Sequence, residues 1–371
     1  MKPAELRPLP LPAGLRSRQV EGVNGLSMHV LEAGEPERPC LLLLHGFPEL
    51  AWSWRKIMGP LAQLGYYVLA PDQRGYGRTT GWDARYDGDL ASFRVANIVA
   101  DTRALLRALG IGAVKAVIGH DFGSPVAAAC AVMHPETFPA VSLMSAPFGG
   151  VPAKPPPATD PVHEALAALP RPRKHYQWYY STPEADGNMR RCPQGLHAFL
   201  RAYYHMKSAD WAQNRPFELA GWTAEELAKM PTYYIMDHGA DMASTVAPEM
   251  PSPSEIAACR WLPEDELKVY TDEFARTGFQ AALLWYRART SGRFNADSAP
   301  YAGRGIAQPA CFIAGASDWG PYQRPGELRR MAERGFADNR GIHFIEGAGH
   351  WVQQEQPAET VRLLESFLGR L

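Results

Sequence analysis

The pentapeptide Gly119-His120-Asp121-Phe122-Gly123 follows one apolar run (residues 114–119) and leads into another (126–133). A strand that enters a helix through a turn rich in small residues is the setting of a nucleophile elbow, where one side chain is lifted above the sheet. The residue raised there is usually serine; here it is Asp121. Serine suits attack on a carbonyl. A carboxylate is already an anion and can displace a leaving group at a saturated carbon, forming an ester with the enzyme. That ester must then be hydrolysed. Asp318 and His350 follow the apolar runs 310–314 and 342–345, and their order after Asp121 completes a triad of nucleophile, acid and histidine. His350, oriented by Asp318, would take a proton from the attacking water. The oxyanion of that step would form on Asp121 itself and needs backbone N–H donors. The elbow supplies that of Phe122, and the loop His45-Gly46-Phe47-Pro48-Glu49 supplies that of Phe47. Singly, Asp121 could be a helix cap, Asp318 a turn residue and His350 a surface histidine. Their joint place beyond strand ends argues for chemistry.

Holding these groups together requires the elements whose ends they follow. Apolar runs at residues 26–33, 40–44, 66–70, 114–119, 141–144, 310–314 and 342–345 read as strands. Segments 52–64, 93–109, 126–133, 327–334 and 360–368 have helical spacing. Such alternation implies crossover units and a mostly parallel sheet flanked by helices. The rhythm starts near Val20 and breaks between Pro147 and about Gly305, where prolines cluster (Pro152, Pro155, Pro156, Pro157, Pro161) and aromatics crowd in. The expected organisation is a core built from residues 1–146 and 306–371, interrupted by a large, mainly helical lid over 147–305. The stretch near Pro155 reads as an ordered connector. The basic run Arg171-Pro172-Arg173-Lys174 reads as a solvated lid face, and Asp72-Gln73-Arg74-Gly75 as a tie behind the nucleophile.

Composition excludes several functions. Thirty-eight basic and thirty-nine acidic residues leave a charge of −1, which offers no face for nucleic acid or an acidic membrane surface. The longest strongly apolar runs, 40–44 and 126–133, are far shorter than the ~20 residues of a membrane span. The five cysteines include no C-x-x-C pair, so neither a disulfide framework nor a metal site is expected. The first residues lack a signal peptide's apolar run. A cytoplasmic protein without metal or organic cofactor is expected, and a homodimer stays open.

Together with Trp285-Tyr286-Arg287 and Gly349-His350-Trp351, the segments His45-Gly46-Phe47-Pro48-Glu49, Asp72-Gln73-Arg74-Gly75-Tyr76-Gly77 and Gly119-His120-Asp121-Phe122-Gly123 resemble the epoxide hydrolase branch of the α/β-hydrolase fold, from Val20 to the end. The resemblance implies hydrolysis of an epoxide, of apolar character given the aromatic lid, to a vicinal diol. It implies that lid tyrosines Tyr176 and Tyr286 hold the epoxide oxygen, against the rivals Tyr179, Tyr180, Tyr203, Tyr204, Tyr233 and Tyr234. It also implies a cis Phe47–Pro48 bond. Glu49, His120 and His175 would place the hydrolytic water, as in plant-type relatives; the bland alternative is that Glu49 and His120 satisfy buried loop backbone. The chain departs from the pattern at Phe122, commonly tryptophan, and at Ser181-Thr182-Pro183-Glu184, where Pro-Gly is usual. The first three segments are shared with haloalkane and haloacid dehalogenases, which need N–H donors for a halide. Phe122 has none on its ring, leaving Trp178, Trp261, Trp285 and Trp319. A ligand-sensing member without turnover is opposed by the intact Asp121, Asp318, His350 set.

Overall fold

In a computed structural model, which describes residues 6–154 and 160–371, the apolar runs assemble into an eight-stranded sheet. Its strands are β1 (Leu15–Val23), β2 (Leu26–Ala33), β3 (Cys40–Leu44), β4 (Tyr67–Pro71), β5 (Ala116–His120) and β6 (Val141–Met144), completed later in the chain by β9 (Ile306–Gly315) and β10 (Phe336–Ile345). Between these come two short strands, β7 (Arg173–His175) and β8 (Ile235–Asp237), which pair only with each other. The sheet order is β1-β2-β4-β3-β5-β6-β9-β10. β1, β2 and β4 pair antiparallel, and every pairing from β4 to β10 is parallel. The expected α/β-hydrolase architecture, a mostly parallel sheet flanked by helices, is what forms.

Burial on both faces explains why β3 is apolar without alternation. Leu42 and Leu44 face the layer containing α2 (Val95–Ala108) and α3 (Gly123–Met133), whereas Leu41 and Leu43 face α1 (Arg55–Gln63) and the closing helix Pro357–Leu368. All four leucines are fully buried, each contributing on the order of 1.5–3 kcal/mol. β1 was not foreseen: only Leu15, Val20 and Val23 are buried, so this edge strand carries no alternating signal. The helix expected at 327–334 is a short α turn, Glu327–Arg330, continued by a π turn, Met331–Gly335.

The segment between β6 and β9 is largely helical, with Tyr176–Tyr180, Leu196–Lys207, Glu264–Thr277 and Gln280–Thr290 among its helices. The reading of residues 171–174 as a solvated face is corrected at Arg173. Its guanidinium is buried in β7, donating to the Ile235 carbonyl at 3.1 Å and to Asp237 at 3.0 Å, partners that offset its desolvation. The connector at Pro155–Pro157 lies outside the described residues. Among the described residues, no helix is long and apolar enough to cross a membrane.

The strand order reverses between β3 and β5, since β4 lies on one side of β3 and β5 on the other. Open parallel sheets carry their crevice at such a switch point, beyond the carboxyl ends of the strands. Asp121 follows β5 there, and the 45–49 loop follows β3.

Candidate active site

Asp121 has φ of +50°, a left-handed conformation uncommon outside glycine, which costs of order 1–3 kcal/mol and survives only where its surroundings enforce it. Gly123 explains the enforcement. A Cβ there would stand 2.0 Å from the Leu44 carbonyl oxygen, so only glycine lets α3 start this close to β3. Gly46 is equally constrained, because a Cβ would meet Asp121 Oδ1 at 2.3 Å. The turn thus presses the carboxylate against the 45–49 loop, where the Phe47–Pro48 bond is cis.

The two carboxylate oxygens of Asp121 have different surroundings. Oδ1 accepts the Phe47 N–H at 2.9 Å. Oδ2 lies 3.2 Å from His350 Nε2, but that nitrogen is buried and not aligned for a hydrogen bond. The second expected donor, the Phe122 N–H, makes no hydrogen bond to the carboxylate. His350 Nδ1 stands 3.0 Å from Asp318 Oδ1, which also accepts the Gly320 N–H at 2.7 Å. The structure therefore brings Asp121, Asp318, His350 and the Phe47 N–H together. Burial alone would raise the Asp121 pKa, but the His350 contact and charge, with Lys207 and His120, hold it well below the usual carboxylate range.

Glu49 and His120 pair at 2.6 Å behind this centre, both fully buried. Burial opposes a charged imidazole, yet the adjoining Glu49 carboxylate raises the His120 pKa above its ordinary value. Glu49 also accepts the Gly46 N–H at 3.2 Å and the amides of Gln353 and Gln354 at 3.0 and 3.2 Å. His120 Nε2 donates to the His350 carbonyl at 2.7 Å. The pair thus ties the backbone of the donor loop to that of the histidine loop. His175 does not join it. Its ring stacks on Tyr176 with centroids 5.2 Å apart, and burial, then the charges of His163, Arg324 and Arg289, pushes its pKa down to about 3. Asp72 and Arg74 serve as the expected tie: Asp72 accepts the Ala51 N–H, and Arg74 pairs with Asp101 at 2.7 Å.

Lys207 was not anticipated. It ends a lid helix, is buried, and holds Nζ 5.0–5.9 Å from the ring centroids of Tyr203, Tyr233, Tyr234 and Trp351. Burial lowers its pKa, and the charges of Asp121, Asp318 and Glu49 act against that fall. A lone lysine at a helix end carries no sequence signal for such a position.

A cavity of about 100 Å³ opens above Asp121 and Phe122, with Tyr176 and Tyr286 on its lid side. None of the six rival tyrosines lines it. The two tyrosine rings are 6.0 Å apart. Tyr176 donates its hydroxyl to Gln323 Oε1 at 3.0 Å, and Tyr286 makes no hydroxyl hydrogen bond to a described residue. Burial, and then the Asp121 charge, raises both phenols above their ordinary pKa. The wall also carries His175, Gln323, Arg289, Arg324 and Glu327, so its lining is more polar than an apolar substrate requires. Of the tryptophans open to a halide, Trp285 donates to the Arg74 carbonyl at 2.9 Å and Trp261 to Asp210 at 2.7 Å. Trp319 keeps a buried, unpartnered N–H but does not line the cavity, and Trp178 does line it.

Comparison with known proteins gives a consistent set of relatives. Residues 39–226 match the sequence model of the α/β-hydrolase fold family. An epoxide hydrolase A of Mycobacterium tuberculosis is 33% identical over 364 residues, covering 96% of this chain and 99% of that protein. An epoxide hydrolase of Caballeronia sordidicola is 30% identical, covering 93% and 91%. Among solved structures, an epoxide hydrolase from an endophytic Streptomyces matches with a TM-score of 0.76 and 31% identity over 96% of both chains. Potato (Solanum tuberosum) epoxide hydrolase I matches with a TM-score of 0.75 and 29% identity, covering 96% of this chain and 100% of that one.

Proposed function

Since the chain belongs to the epoxide hydrolases of the α/β-hydrolase fold, we propose that it opens epoxides to vicinal diols through an ester formed on Asp121. The observation that carries this reading is the asymmetry of the Asp121 carboxylate. With Oδ1 engaged by the Phe47 N–H, Oδ2 is the oxygen left to attack an epoxide carbon. The C–O bond of the ring breaks, and its oxygen takes a proton from Tyr176 or Tyr286. The ester carbonyl is then Oδ1, already facing an N–H donor. His350, whose Nε2 lacks a hydrogen-bond partner, accepts a proton from a water that attacks Cγ. Collapse of the tetrahedral intermediate expels Oδ2 as the new hydroxyl oxygen of the diol, which takes the second proton of the water from the regenerated Asp121 carboxyl and leaves it a carboxylate. The proton on His350 restores the phenol, so one epoxide and one water give one diol.

The Phe122 N–H is a candidate second donor to the oxyanion, reached as Cγ changes geometry. Glu49 and His120 act on the water indirectly, by holding the Phe47 and His350 loops in register. Two of the four tryptophan N–H groups that a halide would need are bound elsewhere, which favours an epoxide over a haloalkane.

The test is isotopic. In a single turnover in heavy-oxygen water, the label should appear in Asp121, and the first diol released should carry unlabelled oxygen at its new hydroxyl. Label passing directly into the diol would mean that water attacks the ring, and the ester mechanism would be wrong.

Alkylation needs Asp121 ionised and the two phenols protonated. The Asp121 pKa is depressed below the carboxylate range, and both phenols are raised above about 10. Neither limit falls inside roughly pH 5–9, so the pre-steady-state alkylation rate of the wild-type enzyme should be flat across that window. A bell-shaped alkylation profile centred near neutrality would contradict the assignment.

A further inference from the structure

We propose that Arg289 and Arg324 form an anion-binding subsite at the mouth of the Asp121 cavity, so that the preferred epoxide carries a carboxylate or phosphate monoester close to its ring; this specificity rests on the epoxide-opening reading above. Both arginines line the cavity together with Asp121, Tyr176 and Tyr286, and both are exposed to solvent, which places them where the cavity opens. Neither has an ion-pair partner or a side-chain hydrogen bond among the described residues. Arg287, on the same helix, differs: it donates to the Tyr86 carbonyl and stacks on the Tyr86 ring at 3.7 Å.

Two guanidinium groups on one cavity wall, neither with an ion-pair partner, repel each other. The charge of Arg289, more than anything else, lowers the Arg324 pKa to about 10. Glu327, the carboxylate that shares the wall with Asp121, offsets this repulsion only in part. Glu327 accepts the Gly149 N–H at 2.7 Å with one oxygen and pairs with Arg330 at 2.5 Å through the other. Guanidinium forks match carboxylate and phosphate oxygens in pairs, and an incoming anion would relieve the repulsion as well as gain charge-assisted hydrogen bonds.

Position in the chain ties the subsite to the reacting ring. Arg289 follows Tyr286 by three residues on the helix Gln280–Thr290, so both side chains leave the same face, with Cβ atoms roughly 5–6 Å apart. Its guanidinium carbon is 6.0 Å from the Phe122 ring, next to the nucleophile. Arg324 follows Gln323, the acceptor of the Tyr176 hydroxyl. An anionic group held by this pair would stand beside the epoxide oxygen's donors, which explains why the cavity wall is more polar than an aromatic lid suggests.

The experiment compares three epoxides with the same ring and tether, ending in a carboxylate, a phosphate monoester or a neutral methyl ester. The readout is the ratio of kcat/KM for each anion over the ester, which divides out general damage to the enzyme. The wild-type ratio should exceed one for at least one anion, and which anion leads identifies the natural group. Arg289→Ala and Arg324→Ala should each lower that ratio about five- to tenfold, a size between an exposed ion pair and a full charge-assisted hydrogen bond. Arg324→Glu should invert it, and added salt should weaken it. A wild-type ratio of one, or a ratio unmoved by these changes, would overturn the subsite. If none of the three epoxides gives diol, the epoxide-opening reading fails. The subsite is then read by quenching of Trp178 and Trp222, which line the same cavity, with the diol carboxylate against its methyl ester. Equal quenching by the two would reject it.

Discussion

His350→Gln is expected to trap the enzyme as an alkyl ester on Asp121, visible by intact mass as a gain equal to one substrate, while diol release slows by about 10²–10⁴-fold. Alkylation requires Asp121 and a proton donor, and the imidazole is neither. Hydrolysis requires a base beside Cγ, and His350 Nε2 is the buried nitrogen 3.2 Å from the carboxylate with no hydrogen-bond partner of its own. Asp318 supports it from Nδ1, so Asp318→Asn should give a milder form of the same stall. Asp121→Ala should form no adduct. The rival bases are poorly placed: His120 has both ring nitrogens engaged, by Glu49 and by the His350 carbonyl, and Nδ1 of His175 accepts the Gln177 N–H at 3.3 Å. Normal turnover by His350→Gln would therefore mean that water reaches the ester by a route absent from this site, and the base assignment would be wrong.

How much of this was legible in the chain depended on how local the signal was. β3 and β5 announce themselves because strands buried on both faces must be apolar throughout. Asp121 and Asp318 sit just beyond such strands, β5 and the buried end of β9, and His350 follows the half-exposed β10, so finding the strands nearly finds the site. β1 was invisible because an exposed edge strand needs few apolar residues. Arg173 was misjudged because its partners, the Ile235 carbonyl and Asp237, are brought by β8 from about sixty residues away. Lys207, Arg289 and Arg324 share that property. Their meaning comes from packing between lid and core, and no spacing along the chain encodes it. The resemblance groups His175 with Glu49 and His120, yet its ring packs on the lid aromatics.

The double variant Tyr176→Phe, Tyr286→Phe is expected to lose nearly all alkylation, and each single variant about 10²-fold, near 2.7 kcal/mol, by analogy with an oxyanion-hole donor. The change removes a hydroxyl and keeps the ring, so the contacts of Tyr286 with Phe47 and Phe122 and of Tyr176 with Tyr180 and Tyr234 are nearly conserved. In the free enzyme both phenols are poor acids, raised first by burial and then by the negative charge of Asp121. That second effect changes during the reaction. As Asp121 bonds to carbon its charge disappears, and the penalty on the phenols falls just as an alkoxide forms and needs a proton. The hydroxyls therefore stabilise the transition state more than the bound substrate, and their loss should appear in the alkylation rate more than in binding. Hydrolysis of a preformed ester should be much less affected, because its oxyanion faces the Phe47 N–H. The two hydroxyls should not be equivalent. Tyr286 has no competing hydrogen bond, whereas Tyr176 must release Gln323 before it can donate to the ring. Tyr286→Phe should accordingly be the more damaging single change. A double variant that opens epoxides at the wild-type rate would remove the lid from the chemistry and return the halide reading, with Trp178 as its donor on the cavity wall.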